Sequence, residues 1–219
     1  MAQEQVRSKQ RVTAHGEVFT SEREVKAMCD LVKQETERIE GRFLEPACGN
    51  GNFLAEVLNR KLAVVKTRYG QSPADYERYA VVALSSLYGV ELLKDNTQEC
   101  RERLFSIWNE AYIAAAKEYA NDQCREAARF ILKKNILCGD ALTMRQADGS
   151  PIVFAEWSLV TGNMVKRRDF ALNELLGGHA EQITLDMVGW EYDEDVQAFI
   201  PAPIREFPLT DYKRVQDYE

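Results

Sequence analysis

Histidine is nearly absent from this chain, and with it most imidazole chemistry. Only His15 and His179 occur in 219 residues, too few for a histidine-based zinc centre, so no metal is expected. Cysteine is sparse too. Cys29, Cys48, Cys100, Cys124 and Cys138 form no C-x-x-C pair and no disulfide-framework spacing. Their apolar settings make them buried thiols of a reducing cytoplasm, the expected location. No apolar run reaches the ~18–20 residues that span a bilayer, and Met1 to Val12 is polar, without an export h-region. No membrane partner is expected. Positive charge is in deficit: 28 Lys and Arg face 35 Asp and Glu, a net charge of −7. Proteins that grip duplex DNA alone carry a basic face, because phosphate neutralisation supplies most non-specific affinity. The acidic balance argues against strong independent DNA binding, while leaving room for a local basic patch.

What is present suits one soluble domain with a full core, or one domain plus a short arm. Hydrophobic residues make up 45% and charged residues 29%, ordinary globular values. Ser21 and Glu24 have capping-box spacing, and Val25, Met28, Cys29 and Val32 recur at helical intervals, which predicts a helix to about Ile39. Phe43-Leu44-Glu45 reads as a first strand, and Phe53, Leu54, Val57, Leu58 and Leu62 mark the next helix. Ser72-Pro73 opens another helix, leading to the strand Leu87 to Glu91. Helices from about Asp95 and Asp122 lead to the strand Asn135 to Cys138, and Ile152 to Val160 is a fourth extended segment. A helix from Phe170 to Leu176 is predicted to end at Gly177-Gly178. Strands alternating with helices predict an α/β fold, a doubly wound, mainly parallel Rossmann-like sheet with right-handed crossovers. The expected organisation is a polar lead-in over 1–13, a ligand-binding domain over 14–178 and an extended, proline-bearing C-terminal arm over 179–219.

The most informative segment is Phe43-Leu-Glu-Pro-Ala-Cys-Gly-Asn-Gly-Asn-Phe-Leu54. It reads as strand, glycine turn and helix N-terminus, the usual nucleotide-binding element of an open sheet. Glycine matters there because backbone N–H groups approach a ligand closely only where no Cβ intrudes. Glu91 ends the second strand, where a carboxylate can hold a ribose diol. Asp140 follows the third strand, and Gly162-Asn163 the fourth. Upstream lies His15-Gly-Glu-Val-Phe-Thr20. Asp140 could equally cap a following helix, and Phe19 could serve as a hydrophobic staple, a ligand cover or both.

This ordered set resembles the S-adenosylmethionine-dependent adenine-N6 DNA methyltransferases, over residues 14 to 163, about two thirds of the chain. Glu45-Pro46-Ala47-Cys48-Gly49-Asn50-Gly51-Asn52-Phe53 is close to the family's Asp-Pro-Ala-Cys-Gly-Ser-Gly-x-Phe. His15 to Thr20 is similar to its Gly-x-x-[Tyr/Phe]-Thr-Pro, with Ser21 in place of the proline. The resemblance implies a methyltransferase sheet and S-adenosylmethionine as cofactor. Phe19 and Thr20 would cover the methionine end, and the segment Glu45, Pro46, Ala47, Gly49, Gly51 and Phe53 would cradle it. Glu91 would hold the ribose, and Asp140 with Ala141 the adenine. DNA is the implied substrate, reached through or with a partner subunit of a restriction–modification system.

At the catalytic motif the family reads [Asn/Asp/Ser]-Pro-Pro-[Tyr/Phe/Trp], and this chain reads Asn163-Met164-Val165-Lys166. Asn163 is the catalytic candidate, an acceptor for the target amino group. The stacking aromatic, a contact worth ~1–3 kcal/mol per base, is replaced by lysine. Lys166, Arg167 and Arg168 form the one dense basic cluster near the motif, readable as phosphate contacts or as a solvated helix start. Only about 56 residues follow Asn163, too few for the family's remaining strands. An incomplete sheet is therefore expected, with the edge after strand four covered by the arm, a partner or an oligomer. Two functions follow. One is a methyltransferase of the adenine-N6 type. The alternative is a catalytically degenerate cofactor-binding or regulatory subunit. A methyltransferase acting on RNA, protein or a small molecule would keep the same cofactor site.

Overall fold

A computed structural model describes residues 8–15, 17–177, 190–193 and 198–219. Its centre is a parallel three-stranded sheet in the order β1 (Phe43–Glu45), β2 (Leu87–Glu91), β3 (Ile136–Cys138). Phe43 registers with Leu87, and Gly89 with Ile136. Between β1 and β2 lie α4 (Asn52–Tyr69) and α5 (Pro73–Ser85); between β2 and β3 lie α6 (Lys94–Ala116) and α7 (Asp122–Asn135). Ahead of β1 come α1 (Lys9–His15), α2 (Glu22–Leu31) and a short α3 (Lys33–Thr36), so the polar lead-in is partly helical.

Local chemistry accounts for the helix starts. The Ser21 hydroxyl accepts from the Glu24 amide while the Glu24 carboxylate accepts from the Ser21 amide, a reciprocal capping box. Ser72 caps α5 with Pro73 in the first turn, and Asn121 caps α7 by accepting from Cys124 N–H at 2.9 Å. The predicted single helix to Ile39 instead breaks at Val32, whose backbone leaves the helical region (φ −120°, ψ 35°).

The α/β class is present, but the sheet is not doubly wound. Helices α4 to α7 pack together with Leu87 and Ile136 in the main core, around the fully buried Trp108, Tyr112 and Leu104. On the other face, Tyr88 and Val90 meet Ile152, Phe154 and Leu172 in a smaller cluster. That cover comes from an antiparallel hairpin, β4 (Val153–Thr161) and β5 (Met164–Ala171), followed by α8 (Leu172–Gly177). Two expectations are corrected here. The fourth strand does not join the parallel sheet, and Phe170 and Ala171 end a strand rather than open a helix. The physical reason lies at Gly162-Asn163, a two-residue turn between the two strands with Gly162 at φ 54°. Such a turn returns the chain antiparallel beside itself.

Much of the expected arm is folded onto the domain. Strands β6 (Trp190–Asp193) and β7 (Ala198–Pro201) pair with each other, while β8 (Arg205–Glu206) and β9 (Thr210–Asp211) pair with β5. A 3-10 turn, Tyr212–Asp217, places Tyr212 and Val215 in the main core. The edge of β5 is thus covered by this chain itself. Among the described residues β1 and β3 each pair only with β2, so both are edges of the parallel sheet. Gly178 and His179 lie outside the described residues. No helix among the described residues is long and apolar enough to cross a membrane, and all five cysteines are free, four of them buried.

Two buried charges tie the layers together. Lys61, fully buried on α4, donates from Nζ to the carbonyls of Ile39 (3.3 Å) and Gly41 and to the Ser86 hydroxyl. Burial pulls its pKa down to about 8. Glu77, 4% exposed on α5, accepts from the hydroxyls of Tyr112 and Tyr212 (2.7 Å for the latter), from Asn121 Nδ2 (2.9 Å) and from Lys213 Nζ (2.7 Å). Burial pushes its carboxyl up, but the hydrogen bonds from Lys213, Tyr112 and Tyr212 prevail and hold it below the ordinary value. A carboxyl lowered in the folded state contributes stability above its unfolded pKa and loses it as pH falls through the folded one. Glu77→Gln is therefore expected to cost roughly 1–3 kcal/mol at pH 7 in urea unfolding. The gap to wild type should narrow as pH drops below about 4.5.

Candidate functional site

Strand, turn and helix order put a cleft of about 700 Å³ at the carboxyl ends of β1, β2 and β3, within the usual 300–1,000 Å³ range of ligand sites. Its floor is the turn after β1, where Gly49 and Gly51 adopt φ values of 52° and 87°. A Cβ on Gly49 would come within 3.2 Å of the Phe19 ring, and one on Gly51 within 2.7 Å of Cys100 Sγ. The turn is therefore bare backbone by necessity on both sides, with Phe19 lying over it. Helix α4 starts directly after, with Gly51 as N-cap and no capping side chain, leaving first-turn amides for an acceptor group.

The structure brings Phe19, Thr20, Glu45, Pro46, Ala47, Gly49, Phe53, Glu91, Asp140 and Ala141 to the lining of this one cleft. Gly51 does not line it. That residue sits behind the turn against Cys100 and shapes the loop. Glu91 Oε2 accepts from Gly49 N–H (3.0 Å), and Oε1 accepts from Leu93 N–H (3.0 Å) and Asn96 Nδ2 (3.2 Å). Asp140 does not cap a helix. Its Oδ1 accepts from Leu142 N–H at 2.8 Å in a tight turn after β3. Burial raises the Glu45 carboxyl above its ordinary value, against the hydrogen bond from Ala47 N–H (3.3 Å).

Several lining residues were not legible as site residues, among them Glu17 and Asn96. Asn96 lies in the first turn of α6, five residues past Glu91, and a helix start that follows a strand end faces the ligand side. That spacing was the available signal. Asn50 donates from Nδ2 to Glu99 (3.2 Å), while its buried Oδ1 has no partner, an orphan acceptor at the cleft wall. Among the described residues, four carboxylates line the cleft (Glu17, Glu45, Glu91 and Asp140) and no lysine or arginine does. No group of three His, Cys, Asp or Glu side chains suited to a metal ion occurs among the described residues.

Asn163 lies elsewhere, which corrects its expected place at the cleft. Strand β4 runs opposite to the parallel strands. Phe154 meets the Tyr88 ring edge-on (5.4 Å between centroids), Glu156 pairs with Arg42 ahead of β1, and Trp157 Nε1 donates to Asn135 Oδ1 (3.1 Å) just before β3. The hairpin tip is therefore at the amino ends of the sheet, where the Gly162 carbonyl accepts from Arg78 (3.1 Å). The basic cluster is also reassigned. Lys166, Arg167 and Arg168 are on β5, not at a helix start. Lys166 pairs with Glu206 (2.8 Å), Arg168 with Glu156 (2.7 Å), and Arg167, 5% exposed, makes two 2.8 Å bonds to Asp169. Each of the three cations is thus paired with a carboxylate of the fold.

Comparison with protein-family models, curated proteins and solved structures gives no match for this chain.

Gly51→Ala combines a left-handed backbone with a contact no real Cβ makes, and should lower stability by about 2 kcal/mol or more. In a Cys100→Ala background the contact is relieved and only the backbone strain remains. The cost of Gly51→Ala should therefore shrink there, as read by denaturant midpoints in a double-mutant cycle.

Proposed function

We propose that this chain is the S-adenosylmethionine-binding unit of a methyltransferase of the DNA adenine-N6 type, working with a partner subunit that engages the DNA. The observation that carries this reading is the convergence on one cleft of Phe19, the Glu45-to-Gly49 turn, Glu91 and Asp140, without a basic side chain among the described lining residues. A glycine turn at a helix N-terminus could in general serve a pyrophosphate. Glu45, Glu91 and Asp140 around it would repel one, Glu17 being paired with Arg11, and they favour a nucleoside whose other end is cationic. S-adenosylmethionine meets that demand. Its carboxylate suits the open amides at the start of α4, its ammonium and sulfonium groups suit Glu45, and its ribose hydroxyls suit Glu91. The bare backbone at Gly49 and the orphan Asn50 Oδ1 fit such a ligand. When bound, the group would supply the methyl that is transferred.

One observation favours the second reading, a cofactor-binding or regulatory subunit without transfer of its own. Asn163, the acceptor expected at the target base, is on the hairpin tip away from the cleft. Catalysis would then require a loop from the partner.

Calorimetric titration is expected to detect S-adenosylmethionine binding that neither ATP nor NAD displaces. Glu91→Ala should weaken it about tenfold, the value of one charge-assisted hydrogen bond. Failure of wild type to bind, or displacement by ATP, would sink the cofactor assignment. Labelled-methyl transfer to DNA, run with and without any co-encoded partner, then decides between the readings. Transfer supports the enzyme, and binding without transfer in either arm supports the regulatory subunit.

A further inference from the structure

A chain of polar contacts runs from the N-terminal helix to the glycine turn. Arg11, on α1, donates from Nε and Nη2 to the two Glu17 oxygens (2.5 and 2.7 Å) and from Nη1 to Asp95 (2.6 Å). Asn96 Nδ2 donates to Glu17 Oε1 (2.6 Å) and to Glu91 Oε1 (3.2 Å). Glu91 Oε2 accepts from Gly49 N–H (3.0 Å). Asn96 is 1% exposed, and Glu17 and Glu91 are each 9% exposed.

Two nearly buried carboxylates therefore share one amide group. Alone they would repel each other, since like charges in a poorly solvated site interact strongly. A primary amide suits this position because its planar nitrogen carries two donors that can point at two acceptors. The Arg11 guanidinium completes the arrangement from the helix side. Leucine at 96 would remove both donors, and aspartate would add a third negative charge.

We propose that Asn96 and Glu17 are positioning residues that couple docking of the N-terminal helix to the orientation of the Glu91 carboxylate. The cleft is set for its ligand when Arg11 is docked on Glu17 and Asp95, and it loosens when Arg11 is released. The inference rests on the proposed function, in which Glu91 contacts the cofactor. Coupling of this kind is reciprocal, so ligand binding in turn holds the helix down.

Amide exchange by NMR and calorimetry on the full chain test the coupling, using Arg11→Gln, Asn96→Leu and Glu91→Gln. Arg11 is partly exposed, so its variant is expected to fold even if Asn96→Leu does not. In the ligand-free protein the Gly49 amide should exchange about tenfold faster in Arg11→Gln and in Asn96→Leu. S-adenosylmethionine affinity should fall by a similar factor, and Asn96→Leu should add nothing further in Glu91→Gln protein. A Gly49 amide that exchanges at the wild-type rate in Arg11→Gln would overturn the proposal. So would strictly additive effects of the Asn96 and Glu91 substitutions, the mark of a merely structural role. If wild type binds no S-adenosylmethionine, the cofactor reading fails by itself, and Gly49 exchange in the ligand-free variants still decides the coupling.

Discussion

Two crossovers that step the same way across the sheet, β1 to β2 and then β2 to β3, constrain everything else in this molecule. With right-handed connections, steps in one direction put every crossover helix on one face. Helices α4 to α7 accordingly share a single core with Leu87 and Ile136. The opposite face, with Tyr88 and Val90, would lie bare without a second cover, and the β4–β5 hairpin with α8 supplies it. The segment that would extend a doubly wound sheet is used to seal this one.

The same arrangement separates the ligand cleft from the hairpin tip. All three strand ends, the start of α4 and the start of α6 converge at the carboxyl edge, where the turn amides and Glu91 meet. The hairpin leaves from that edge after Pro151 and runs the other way, so Gly162 and Asn163 emerge at the amino edge. No side-chain substitution in the hairpin would bring its tip back to the cleft, because the direction of β4 decides it. The buried charges serve the same layered design. Lys61 holds the approach to β1 against α5, and Glu77 holds the C-terminal turn against α5 and α6.

Where local chemistry is sufficient, the elements were legible. Ser21 with Glu24, Ser72 with Pro73 and Asn121 before α7 each carry their caps within four residues, so the helix starts follow from neighbours in sequence. The Glu45-to-Phe53 turn was legible for a similar reason: its positive φ angles demand glycine, and its length joins strand to helix without slack. Asn96 and Glu17 were not. Each is an ordinary polar residue until the fold sets it within 2.6 Å of the other across 79 positions of chain. Lys166 to Arg168 read as a helix start but lie on a strand. Asp169, the partner of Arg167, is two residues away on that strand, whereas Glu156 and Glu206 are brought alongside only by strand pairing.

The amino-acid sequence by itself determined the α/β alternation, the glycine turn and the carboxylates at the ends of β2 and β3, because these depend on backbone conformation and short-range spacing. Only the tertiary structure decided the direction of the fourth strand and the face it covers. Strand direction depends on which surface buries the apolar side of the hairpin, a competition among distant segments that no local pattern encodes. Tyr88 and Val90 won that competition for Ile152 and Phe154, and with it the place of Asn163 was settled.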